Sequence, residues 1–186
     1  MFRNDLLHLL PKGGVAAEVG VYRGGFSAEI LQITQPRELH LVDGWWELSG
    51  EQFSESFGRR STREAYREAK QSVEEWRGET ECTFHVGDDV EILERFPDAY
   101  FDWVYLDTSH RYDQTRRELA VLDRKVKGVI SGHDWHLNPH HPHACACRAV
   151  RELTEVSEWR LEMRDSIGQW LITRPTQSLP SGEIPS

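Results

Sequence analysis

The run Ala17-Glu18-Val19-Gly20-Val21-Tyr22-Arg23-Gly24-Gly25-Phe26-Ser27 constrains the chain most: a short apolar strand ends in a carboxylate, passes a glycine-spaced turn and opens directly into a helix. Such a unit can cradle a small molecule. Glycines accept positive φ and bring backbone N–H groups close to a ligand, while a carboxylate at the strand end favours a ligand carrying an amine or hydroxyls. The spacing is E-x-G-x-x-x-G, not the G-x-G-x-x-G that cups a pyrophosphate, which favours a ligand other than a dinucleotide. A strand-glycine-helix turn without a ligand has the same appearance, so the rest of the chain must carry the weight.

Further strands follow at regular intervals. Val15 to Val19 reads as the first, and Glu38-Leu39-His40-Leu41-Val42-Asp43 as the second, after a helix from Gly25 to Ile33. Cys82 to Val86 is the third, Phe101 to Asp107 the fourth and Gly128 to Ser131 the fifth, with two final strands near Trp159 to Arg164 and Gln169 to Thr173. Helices are expected near Asn4 to Leu10, from the Ser61-Thr62-Arg63-Glu64 capping box to Arg77, from Asp89 as cap to Phe96, from Tyr112 to Leu122 and from Ala144 to Val156. Gly44 to Gly58 reads as a loop or lid. Alternating strands and helices imply a Rossmann-like, doubly wound α/β fold. The expected sheet is seven-stranded and mostly parallel, with a C-terminal antiparallel hairpin. At 186 residues the expectation is one domain over 1–174 and a flexible, Pro- and Ser-rich tail over 175–186.

In sheets of this kind ligands sit beyond the carboxyl ends of the strands. Glu18, Asp43, Asp88, Asp107 and His133-Asp134 all fall at such ends, so one rim gathers the acids. S-adenosylmethionine, with its ammonium and ribose, suits that rim. A formal net charge of −9 argues against a nucleic-acid partner. No apolar run is long enough for a membrane span, and the acidic N-terminus does not resemble a signal peptide. A cytoplasmic location and a small-molecule substrate are expected. The three cysteines, Cys82, Cys145 and Cys147, are expected as reduced thiols.

The ordered set "EVGVYRG…VDGW…GDD…FDWVYLDTSH…GVISGHDW" resembles the class I S-adenosylmethionine-dependent methyltransferases, within them the small O-methyltransferase-like group, from about Val15 to Thr173. The resemblance implies that Glu18, Gly20 and Gly24 line the methionine end of the cofactor, and that Asp43 accepts from both ribose hydroxyls. It also implies that Asp88, after Gly87, sits near the adenine amino group. Turn or helix capping is the alternative role for Asp43 and Asp88. Tyr22 is a pocket wall or a surface residue, and Arg23 a candidate partner for the cofactor carboxylate.

Asp107, His110, His133 and Asp134 form a second constellation. In related catechol-type and macrolide sugar O-methyltransferases, residues at these strand ends hold a magnesium-type cation that orients the acceptor's hydroxyls. Asp107, His133 and Asp134 are the candidate ligands here. His133 stands where an acid is usual, and imidazole prefers transition metals to hard cations. Equally, His133 or His110, beside Asp107, can serve as a metal-free general base, because an imidazole titrates near neutrality. Both readings stand at this stage.

His136, His140, His141, His143, Cys145 and Cys147 crowd one segment, but their spacing matches no zinc motif and favours a histidine-rich loop. Trp103 and Trp170 are expected in the core. Trp45 and Trp46, next to Asp43, are candidates for closing over the ligand or for joining two copies of the chain. The leading expectation is methyl transfer from S-adenosylmethionine to a small hydroxylated metabolite. A metal-dependent, hydroxylase-like enzyme and a non-catalytic metal- or nucleotide-binding protein are the alternatives.

Overall fold

The computed structural model describes residues 3–45, 62–109, 111–137 and 145–175. Its order is a 3-10 helix (Arg3–Leu9), β1 (Val15–Val19), α1 (Gly25–Thr34), β2 (Glu38–Asp43), α2 (Thr62–Trp76), β3 (Glu81–Val86), α3 (Asp89–Glu94), β4 (Phe101–Leu106), α4 (Tyr112–Lys125), β5 (Val126–Gly132), α5 (Cys145–Val156), β6 (Arg160–Arg164) and β7 (Trp170–Thr173). The seven strands form one sheet in the order β3-β2-β1-β4-β5-β7-β6, with β1 to β5 parallel, so the expected Rossmann-like architecture is present. β7 pairs antiparallel with both β5 and β6. It therefore lies inside the sheet, and the edge strand β6 runs in the same direction as β1 to β5.

The side-chain alternation of β1 divides the core. Val15, Ala17 and Val19 pack with Ile92, Leu93, Leu119 and Leu122 on one face, while Ala16 joins Phe26, Ile30, Ala65, Ala69 and Val73 on the other. Both faces of the central strand are covered, which explains its uninterrupted burial. Trp103 and Trp170 are in the core as expected. Three local differences have simple causes. The first helix is 3-10 and stops ahead of Pro11. α4 runs three residues past Leu122, because Lys125 is held in place by the Phe96 carbonyl (2.7 Å) and Asp98 (2.9 Å). The cap of α3 is Asp88, not Asp89: Asp88 Oδ1 accepts from Glu91 N at 3.0 Å. The 46–58 part of the expected lid, Ser61 of the capping box, and residues 176–186 of the tail lie outside the described residues.

Candidate active site

Sheet register brings the strand ends to one level. Val19 pairs with Val42 and Leu106, and Leu106 pairs with Gly132. The ladder continues past the strands, with Gly20 N donating to Val42 O (2.8 Å), Asp107 N to Val19 O (2.8 Å) and His133 N to Leu106 O (3.3 Å). Gly20 has φ +91°, and a Cβ there would lie 2.0 Å from the Asp107 carbonyl oxygen. Only glycine lets the turn after β1 press against the end of β4.

On the β1–β2 side, alternation turns Glu18 toward α1, where Ser27 Oγ donates to its carboxyl. Burial is complete and pushes the Glu18 pKa up to about 8, against the opposing pull of Ser27 and Arg3. Asp43 Oδ2 accepts from Val21 N (2.9 Å) and Tyr22 N (2.8 Å), and Oδ1 from Trp45 N (2.8 Å). Burial raises its pKa while these three N–H groups oppose the shift. They use three of the roughly four acceptor positions of a carboxylate, leaving room for one further donor where the sequence suggested a two-hydroxyl fork. Asp43 thus holds Tyr22 (φ 54°) and Trp45 (φ 35°) in the left-handed region that non-glycine residues rarely enter. Trp45 is 1% exposed, packs edge-on against Tyr66 at 4.9 Å and donates Nε1 to the Tyr22 carbonyl. It is a buried core residue beneath Tyr22, not an exposed contact; Trp46 lies outside the described residues.

Gly24 (φ +75°) makes room for α2, since a Cβ there would lie 2.8 Å from Ala69 Cα. Arg23 is paired with Glu68 on α2. Gly87 is buried with φ 140°, and Asp88 follows it at the mouth of α3.

On the β4–β5 side, one ligand atom each from Asp107, His133 and Asp134 lie within 4.8 Å of one another. Asp134 sits at φ 63°, with Oδ2 3.2 Å from His133 Nδ1 and Oδ1 3.2 Å from His136 Nε2. The hydrogen bond to Asp134 raises the His133 pKa, opposed by burial. Trp170 Nε1 donates to the His133 carbonyl at 2.9 Å, and Gly132 is packed so closely that a Cβ would lie 2.6 Å from the Trp170 ring. His133 is therefore positioned from β7 as well as from β5. His110, His140, His141 and His143 lie outside the described residues, as does the Cys145 side chain. Cys147 is a buried thiol whose pKa burial raises, unlike a nucleophilic thiolate.

Sequence reasoning missed Arg3. Its guanidinium forms an ion pair with Asp107 Oδ2, its Nε lies 3.3 Å from Tyr105 Oη, and its Cζ lies 4.3 Å above the Phe26 ring. One arginine in an N-terminal amphipathic stretch carries no spacing signal, and Asp107 is 104 residues away.

Residues 17–135 match the family Methyltransf_24, described as a methyltransferase domain. The match covers well over half of the chain, which belongs to this family and is an S-adenosylmethionine-dependent methyltransferase. No curated protein gives a significant sequence match. Among solved structures, a protein from Corynebacterium glutamicum superposes with a TM-score of 0.70 at 13% identity, over 94% of this chain and 81% of that one. The O-methyltransferase TomG from Streptomyces achromogenes, involved in tomaymycin synthesis and solved with S-adenosylmethionine, gives 0.65 at 20% identity, over 92% and 79%. The precorrin-6y C5,15-methyltransferase from Geobacter metallireducens gives 0.61 at 14% identity, over 91% and 85%. At such identities the likeness is one of fold. No helix among the described residues is long and apolar enough to cross a membrane.

Proposed function

We propose that the chain O-methylates a small hydroxylated metabolite, with His133 as general base. One observation carries this reading: His133 Nδ1 faces Asp134 Oδ2 at 3.2 Å, so the carboxylate fixes the ring and leaves Nε2 to take a proton, two strands away from the Glu18 turn. The fold likeness to TomG is in keeping with oxygen as the acceptor.

The donor set of the β1–β2 side fits the cofactor. Glu18 offers a buried carboxyl to an ammonium, Asp43 a remaining acceptor position to a ribose hydroxyl, and Asp88 a half-buried carboxylate to the adenine amino group. Gly20 and Gly24 shape the turn, Tyr22 contributes its backbone, and Gly87 sets the approach to Asp88. Bound S-adenosylmethionine supplies a methyl group on a sulfonium that leaves as a neutral thioether. His133 Nε2 accepts the acceptor's hydroxyl proton as the oxygen takes the methyl carbon, so the charge left on the protein is an imidazolium stabilised by Asp134 and Asp107. Asp107 acts here as a fixed negative charge beside the base.

The clustering of donor atoms within 4.8 Å favours a second reading, in which Asp107, His133 and Asp134 hold a divalent cation that polarises the acceptor hydroxyl. One imidazole with two carboxylates suits a transition metal better than magnesium. Release of S-adenosylhomocysteine is measured against a panel of small phenols, sugars and amines, with and without EDTA. Turnover of a hydroxylated acceptor that survives EDTA is expected. Turnover of amines alone would refute oxygen transfer, and loss of turnover with EDTA would select the metal reading.

A further inference from the structure

Asp107 faces a cation, Arg3. Three groups from two elements fix the guanidinium: the Asp107 carboxylate just after β4, the Tyr105 hydroxyl on β4, whose ring centroid lies 5.6 Å from Cζ, and the Phe26 ring on α1, 4.3 Å away. The arginine is thus stacked on aromatic faces and ion-paired at once, a geometry that suits guanidinium far better than ammonium. Its charge also reaches the neighbouring groups of the crevice, since Arg3 favours the ionised form of Glu18 and disfavours protonation of His133. A divalent ion at Asp107, His133 and Asp134 would share the Asp107 carboxylate with this guanidinium, and like charges so placed repel strongly away from bulk water.

We propose that Arg3 is the resident cation of the acceptor side: it occupies Asp107, keeps a divalent ion out of the Asp107–His133–Asp134 cluster, and supplies in fixed form the positive charge that a metal would otherwise bring. An arginine remains charged across the working pH range and cannot be chelated. The chain's N-terminal 3-10 helix is therefore part of the site, and Arg3 is a positioning residue for Asp107. The purpose of the charge rests on the methyl-transfer reading above, but the exclusion of a metal does not, because it is measured without cofactor or acceptor.

The test is a titration of the cofactor-free protein with Mn2+, followed by the electron paramagnetic resonance signal of the free ion. Mn2+ is chosen because thiols and scattered histidines bind it poorly. Wild type is expected to bind weakly, R3Q at least tenfold more tightly, R3K between the two, and R3Q/D107N to lose the gain. Wild type binding Mn2+ as tightly as R3Q would overturn the proposal, and so would failure of both to bind. If R3Q does not fold, R3M takes its place, and tight binding by wild type alone still overturns the inference. Circular dichroism of each variant serves as the folding control, and failure of H133N to lose turnover would count against the base reading alone.

Discussion

On the β1–β2 side of the crevice, Glu18 and Asp43 are satisfied by neutral donors, Ser27 Oγ and three backbone N–H groups, whereas on the β4–β5 side Asp107 and Asp134 face Arg3, His133 and His136. Neutral donors fix a carboxyl's position and leave its charge to burial and to the incoming ligand, so the first side is prebuilt to receive a cationic, hydroxylated ligand. The second side holds its charges in opposed pairs, which suits groups that exchange protons while keeping the local field steady. The two sides are separable in experiment: changes on one should move cofactor affinity, and changes on the other turnover.

The largest effect is expected from H133N. Loss of a positioned base costs about 10²- to 10⁴-fold in rate. S-adenosylhomocysteine affinity, measured by calorimetry, should stay within about twofold, since His133 is not among the groups assigned to the cofactor. D43A should do the reverse. It deprives the Val21, Tyr22 and Trp45 N–H groups of their acceptor, at about 1–3 kcal/mol for each left unsatisfied. Urea unfolding should show a loss of several kcal/mol in all, and cofactor affinity should fall with it.

A smaller effect separates the sides by pH. Glu18 titrates near pH 8 and is neutral below that value, yet a ligand ammonium binds the ionised form. Affinity for S-adenosylhomocysteine should therefore rise from pH 6 toward 8, by at most about tenfold per unit, and E18Q should remove the slope. For stability the sign is opposite. The folded protein keeps a proton that the unfolded chain has lost, so raising the pH from 5 to 8 destabilises it through this group. The smallest effect lies away from the crevice, where His40 Nδ1 and His85 Nε2 are 3.0 Å apart. Burial, then the charges of His40 and Arg95, lower the His85 pKa from 6.5 to about 4. Folded His85 stays neutral while the unfolded chain takes up a proton, so the contribution present above pH 6.5 is lost as the pH falls toward 4. H85Q should flatten the Tm profile over that interval, as read by circular dichroism.

Much of this was legible in the sequence because it is local. The apolar run ending at Val19, the acid closing β2 at Asp43 and the glycines at positions 20 and 24 announce their elements within a few residues. The neighbouring positions of Asp107 and His133 follow from strand alternation and the crossover rule. What the sequence hid is non-local. Arg3 reaches Asp107 because β1, which follows its helix, lies beside β4, and Trp170 reaches the His133 carbonyl across 37 residues because β7 lies beside β5. Trp45 looked like a lid residue because it borders a polar segment, but its left-handed backbone turns the indole inward under Tyr22. Backbone sign at a non-glycine residue leaves no trace in composition.

The most direct measurement of the division between the two sides is a crystal structure with S-adenosylhomocysteine. The ligand is expected with its amino group at Glu18, its ribose at Asp43, its adenine beside Asp88 and its sulfur turned toward His133, with Arg3 still on Asp107. Density for the nucleoside on the far face of the sheet, or with its sulfur turned away from the β4–β5 side, would contradict the account.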